Sequence, residues 1–163
     1  MAQQRGRRIL EVRIRQETDT DPDLSFLGEY TSKPGRPECT IDREARGDQG
    51  RNEFQYFVAA NSGEETGNPE SVEQDYQRME AYNRGDWHMV GVWAEARVQL
   101  TDQGAVQTIR SGGLWCIESD SEDGYLDEVE REELTALERE LAGAGFSPME
   151  INAAMKDVKR KEG

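Results

Sequence analysis

The chain has 163 residues and a formal net charge of −14 at pH 7 with its single histidine neutral. That balance argues against direct nucleic-acid binding as the main activity, because such affinity comes from Lys and Arg neutralising phosphates. No stretch approaches the roughly 18 consecutive apolar residues of a membrane-spanning helix, and no signal-peptide apolar region follows the first residues. The expectation is a cytoplasmic protein with no membrane partner.

Leu, Ile, Val and Phe together number 28 of 163 residues. At this net charge so small a share implies a lean core. Three Trp, five Tyr and several well-patterned segments nevertheless argue for a folded chain. The expected organisation is a flexible N-terminus over 1–8, one α+β domain over 9–146, and a C-terminal helix over 147–163 with a frayed basic end.

From Ile9 the pattern has period two. Leu10, Val12 and Ile14 alternate with Glu11, Arg13 and Arg15, which predicts a half-buried strand. Thr18 to Asp23, with Pro22, forms an acidic turn. Leu24, Phe26, Gly28 and Tyr30 alternate as a second strand, and Lys33 to Pro37 breaks it. Cys39 to Asp42 suggests a short strand, residues 43–52 an exposed loop, and Phe54, Tyr56 and Val58 a third strand. After a second polar loop, Asn68 and Pro69 supply a helix cap and a first helical residue. Val72, Tyr76, Met79 and Asn83 then recur at helical spacing, which predicts a helix to about Tyr82 that Gly85 ends.

The clearest pattern follows. Val90, Val92, Ala94, Ala96, Val98 and Leu100 fill every even position, and Gly91, Trp93, Glu95, Arg97 and Gln99 the odd ones. This predicts a strand with one face in the core, on which the small Ala94 and Ala96 admit a helix closely. Thr101 to Gly104 supplies a turn, Val106 to Arg110 the hairpin partner, Gly112-Gly113 an interruption and Leu114 to Ile117 the end of the strand. The expected fold is α+β: an antiparallel sheet of about four to six strands with two or three helices on one face. Helices near 69–83 and 124–142 provide the cover. On this assignment Ala94→Glu unfolds the protein and Glu95→Ala does not.

Residues 118–140 hold eleven acids and two arginines. Leu126, Val129, Leu134, Leu137 and Leu141 approximate one helical face among them. Ser119 or Ser121 is the expected cap. Ser147, Pro148 and Glu150 form a capping box for a last short helix.

Few residues offer chemistry. His88 is the only histidine, and a strand-edge histidine packed on Trp87 is the plainer account of it. Aligning Gly124 with the sixth position of a calcium loop puts Asp123 and Glu130 at positions five and twelve. Ser119 then occupies the first position, where a carboxylate is required. Cys39 and Cys116 lie far apart outside any CxxC motif, which suits reduced thiols. No nucleophile, base and metal set assembles, so no catalytic residue, metal site or cofactor is expected and the protein is not expected to be an enzyme. Trp93 faces away from the apolar row and is a candidate partner contact.

Three segments carry a resemblance: DPDLSFLGEY (Asp21 to Tyr30), QDYQRMEAYNRGDWHMVGVWAEA (Gln74 to Ala96) and QTIRSGGLWCIESDSEDGYLDEVEREEL (Gln107 to Leu134). Their most distinctive parts are YNRGDW and SGGLWCIESDS. Together they resemble a group of proteins of unassigned activity encoded on bacteriophages, plasmids and other mobile elements. Glycine more often follows the tryptophan there, which implies that Cys116 is not a catalytic requirement. The resemblance implies a mobile-element accessory protein.

Spaced carboxylates present the potential that a basic nucleic-acid cleft is built to receive. The functional expectation is therefore an inhibitor that binds a host defence protein or another nucleic-acid-binding protein, of anti-CRISPR or antirestriction type. The alternative is a non-enzymatic regulatory or structural accessory protein that binds another element-encoded protein. A homodimer is compatible with either. The expected partner surface comprises Asp120, Glu122, Asp123, Asp127, Glu128, Glu130, Glu132 and Trp93.

Overall fold

The computed structural model describes residues 6–48, 54–60 and 68–162, without the side chains of 161 and 162. In chain order its elements are β1 (Arg8–Asp19), β2 (Gly28–Thr31), a short 3-10 turn (Pro37–Cys39), β3 (Thr40–Asp42), β4 (Tyr56–Ala59) and α1 (Pro69–Asn83). There follow β5 (Met89–Gln99), β6 (Val106–Arg110), β7 (Leu114–Glu118), α2 (Tyr125–Gly143), α3 (Pro148–Met155) and β8 (Val158–Glu162). The α+β class is as the sequence implies. The chain forms two compact units. One joins the chain up to Thr20 with the chain from His88, and the other is Asp21–Trp87. The limited apolar content is divided between two small cores.

The first unit is built on a five-stranded sheet in the order β6-β5-β1-β8, with β7 also paired to β5. β1 and β5 run antiparallel along their length, from Arg8 opposite Gln99 to Asp19 opposite Met89. β6 pairs with the second half of β5 and β7 with its first half. The sheet is mixed rather than wholly antiparallel, because β8 lies parallel to β1. Residues 158–162 were expected to be a frayed helix end. They form a strand because Val158 packs against the core opposite Val12, and Arg160 reaches Glu130 on the same side.

The even positions of β5 behave as their spacing predicts. Val90, Val92, Ala94, Ala96 and Val98 are buried with Val12 and Ile14 of β1 and Ile117 of β7. Val129, Leu137 and Leu141 of α2, Phe146, and Ile151 of α3 complete this core. Full burial of an aliphatic side chain of this size contributes about 1.5–3 kcal/mol. α3 opens with the expected capping box, in which Ser147 accepts from the Glu150 amide and Glu150 accepts from that of Ser147.

Helix α1 does not cover this sheet. It belongs to the second unit, where it packs on a three-stranded antiparallel sheet in the order β2-β4-β3. Asn68 caps it by accepting from the Glu70 amide, as expected. Strand β2 starts later than the alternation suggests, because Leu24 to Leu27 close a turn with a 3.0 Å hydrogen bond. Gly28 follows at φ +145°, and a Cβ there would run into the Val58 carbonyl oxygen. In β4 the buried residues are Phe57 and Ala59, not the expected Phe54, Tyr56 and Val58 parity. Phe57 sits between the Tyr30 and Tyr76 rings, with centroids 5.4 and 5.3 Å away.

Ala94→Glu places a charge at a fully buried position and abolishes the cooperative thermal transition of the first unit. Glu95→Ala is still not expected to unfold the protein, but Glu95 does not face open solvent as its odd position suggests: it is only 8% exposed. Its removal strips buried partners from Arg13 and Trp93 and lowers stability by about 2 kcal/mol, measured by chemical denaturation.

Candidate functional site

The acidic segment runs from the end of β7 into α2. Neither expected serine caps the helix. Ser119 Oγ accepts from the His88 amide, while the Ser119 amide donates to the His88 carbonyl. Ser121 Oγ donates to the Glu118 carbonyl. The residue before the helix is Gly124, at φ +96°, a left-handed conformation that glycine adopts without a Cβ penalty. Asp127 and Glu128 then occupy the first turn, where carboxylates complement the positive end of the helix dipole.

Asp120, Glu122, Asp123, Asp127, Glu128 and Glu132 are exposed. Glu130 does not belong with them. Its side chain is 13% exposed and pairs with Arg160 at 2.9 Å. Burial raises its carboxyl above the usual range, Arg160 opposes that shift, and Asp127 adds to it. Glu133 faces the sheet, where its Oε2 accepts from Ser111 Oγ and from the Gly113 amide. Ser111 Oγ also receives the Ala94 amide, and the Ser111 amide donates to the Ala94 carbonyl. One glutamate of α2 thus fixes the break between β6 and β7. The Gly112-Gly113 interruption hints at this break, but nothing in the sequence singles out Glu133 from its acidic neighbours.

Trp93 is not an open contact. It is 5% exposed, lies 5.8 Å from the Trp115 ring in a stacked arrangement, and has Arg15 and Arg110 over its ring. Its Nε1 donates to Glu95 at 3.2 Å. The exposed indole is that of Trp115, at 40%. The Trp115 ring lies so close over Gly91 that a Cβ there would fall within its atoms. This is possible because Trp115 and Cys116 bulge out of register between Leu114, opposite Val92, and Ile117, opposite Val90. Cys116 takes φ +62°, the only non-glycine positive φ among the described residues. Cys116 is exposed, Cys39 is buried, and both are free thiols.

The second unit contains a charged cluster with no sequence signal. Arg43, within the stretch expected to be an exposed loop, is 2% exposed. Its guanidinium donates to the Phe54 and Asp48 carbonyls at 2.8 and 3.3 Å, pairs with Glu80 at 3.4 Å and lies over the Tyr30 ring. Tyr30 donates to Glu80 and Tyr76 to Asp48, each at 2.8 Å. Burial, reinforced by the hydrogen bond to Asp48, pushes the Tyr76 hydroxyl up to about 12. Burial and Glu80 push that of Tyr30 up as well. The named donors of this cluster meet acceptors, which makes it a buried anchor for α1 and the small sheet rather than a reactive centre.

His88 is exposed, and Trp87 packs instead with Tyr82 and beneath Arg78. Among the described residues no group of three or more His, Cys, Asp or Glu side chains is arranged to hold a metal ion, and no helix is long and apolar enough to cross a membrane. The serines of the calcium-loop alignment are engaged with backbone, and its Glu130 with Arg160. No family model, curated protein or solved structure matches the chain.

Cys116→Gly relieves the left-handed strain and raises stability by about 1 kcal/mol, and Cys116→Val lowers it by at least as much; thermal melts of both variants decide. Alkaline titration gives a second test. A raised tyrosine pKa contributes stability that is present below the ordinary value of 10.0 and lost as pH rises through about 12. Ultraviolet absorbance is expected to show Tyr76 and Tyr30 ionising last, as the second unit opens, and Tyr76→Phe removes part of that step.

Proposed function

We propose that this chain is a non-enzymatic, stoichiometric inhibitor. Its exposed carboxylates imitate a nucleic-acid backbone and occupy the basic cleft of a nucleic-acid-binding protein, such as a host defence protein of the CRISPR or restriction type. The observation that carries this reading is the placement of Asp127, Glu128 and Glu132 on the outer side of α2. The inner side of that helix is committed to the core through Val129, Leu137 and Leu141. Asp120, Glu122 and Asp123 extend the same charge through the preceding turn. Between residues 120 and 132 seven acids face a single arginine, Arg131, whose Nε leans on the Asp127 carbonyl.

The partner surface proposed here omits Glu130 and Trp93, which are engaged within the fold. The resemblance of the three segments to mobile-element proteins supports a bacterial cytoplasmic setting. A regulatory accessory protein that binds another element-encoded protein would use the same surface, and the identity of the partner separates the two.

The test is functional. The protein is expressed in bacteria carrying a CRISPR or restriction system, and plaque formation by a targeted phage is counted. The account expects restored plaquing, lost in the Asp127→Lys, Glu128→Lys, Glu132→Lys triple variant while its melting temperature is kept. The isolated complex is expected to weaken with salt, since the Debye length is roughly 8 Å at physiological ionic strength, and to be displaced by the partner's own DNA or RNA. Inhibition by the triple variant equal to that by wild type sinks the mimicry reading.

A further inference from the structure

The sheet that carries α2 on one side has a cation-rich surface on the other, which the net charge of −14 conceals. Register places Arg13, Arg15, Arg97, Arg110 and Lys159 together there, from four adjacent strands. Four of them share two carboxylates. Arg13, Arg97 and Lys159 lie 3.6–4.0 Å from Glu11, and Arg13 and Arg15 lie 2.5 and 3.9 Å from Glu95.

Exposure is unequal between the signs. The Glu11 and Glu95 side chains are 15% and 10% exposed and Arg13 is as covered, at 15%, against 33%, 45% and 57% for Arg15, Arg97 and Lys159. The acids lie beneath the cations, and solvent meets positive charge. Glu17 of β1, opposite the Gly91 that the Trp115 ring covers, is exposed and bounds the surface at that end. At that end stands the open indole of Trp115, over Gly91 and stacked on Trp93, which in turn lies under Arg110.

We propose that this face binds a short single strand of nucleic acid, with phosphates on Arg97, Arg110 and Lys159 and a base stacked on Trp115. Stacking on an aromatic face accepts any base, and guanidinium forks match phosphate oxygens. An acidic polypeptide would engage the cations and leave the indole unused. A short strand is favoured over a long one because the acids of α2 lie only about one layer away, roughly 10 Å, and repel an extended polyanion. This inference is independent of the inhibitor reading, since it uses the opposite face of the sheet.

The test is fluorescence anisotropy of a labelled oligothymidylate of about 12 nucleotides with the full chain at low salt. The expected result is saturable binding that falls with salt and quenches tryptophan emission. Trp115→Leu keeps the apolar cover on Trp93 but removes the stacking surface, and weakens binding by about tenfold or more. Arg97→Gln combined with Lys159→Gln, both at exposed positions, weakens binding and lowers the slope of log affinity against log salt by about 1.4. The triple lysine variant of α2 binds at least as well as wild type. Absence of saturable binding at low salt overturns the proposal. So does binding of a polyglutamate peptide as tight as that of the oligonucleotide with no effect of Trp115→Leu, which would make the face a docking surface for acidic polypeptide.

Discussion

Strand β5 buries residues on both of its faces, and the first unit depends on that. On one side Val90, Val92, Ala94, Ala96 and Val98 share a core with α2 and with Ile151 of α3; on the other, Trp93 and Glu95 lie beneath arginines and Trp115. Its edges are taken by β1 on one side and by β6 and β7 in turn on the other. The two alanines set the depth at which α2 can approach. Glu133 then ties that helix to the break at Ser111 and Gly113, so sheet edge and helix are held in one register. A charged residue here is structural although its neighbours along the helix are solvated.

That arrangement sorts charge by direction. The outer side of α2 and the turn before it carry exposed carboxylates. The opposite face of the sheet carries exposed cations around largely covered acids. Net charge averages over the two, and surface potential near a ligand does not, because screening confines each field to roughly a Debye length. The first unit thus carries two polar surfaces of opposite sign.

Periodicity made the core side of the first unit legible. The even row of β5, the capping box of α3 and the Asn68-Pro69 start of α1 each rest on a local rule, and the structure follows all three. The odd row of β5 was not legible, because alternation assigns a polar residue to the outer face without saying what lies over it. Trp93 and Glu95 are buried by Trp115, Arg15, Arg110 and Arg13, which come from other strands and, for Trp115, from a bulge. Arg43 failed for the same reason: its partners lie 5 to 37 positions away, on β2, α1 and the loop around Asp48 and Phe54. The helical pattern of α1 was right, but its assignment to the large sheet was not, since a pattern fixes which face is buried and not which layer buries it.

Native-state hydrogen exchange measures the dependence on β5 most directly. The account predicts that the amides of Val92, Ala94, Ala96 and Val98 exchange only through global opening of the first unit and are the slowest in it. In the Glu133→Ala variant alone the Ala94 amide, bonded to Ser111 Oγ in the wild-type chain, is expected to exchange earlier than its neighbours in the strand. Exchange of these β5 amides at the rates of the exposed 101–105 turn would contradict the account.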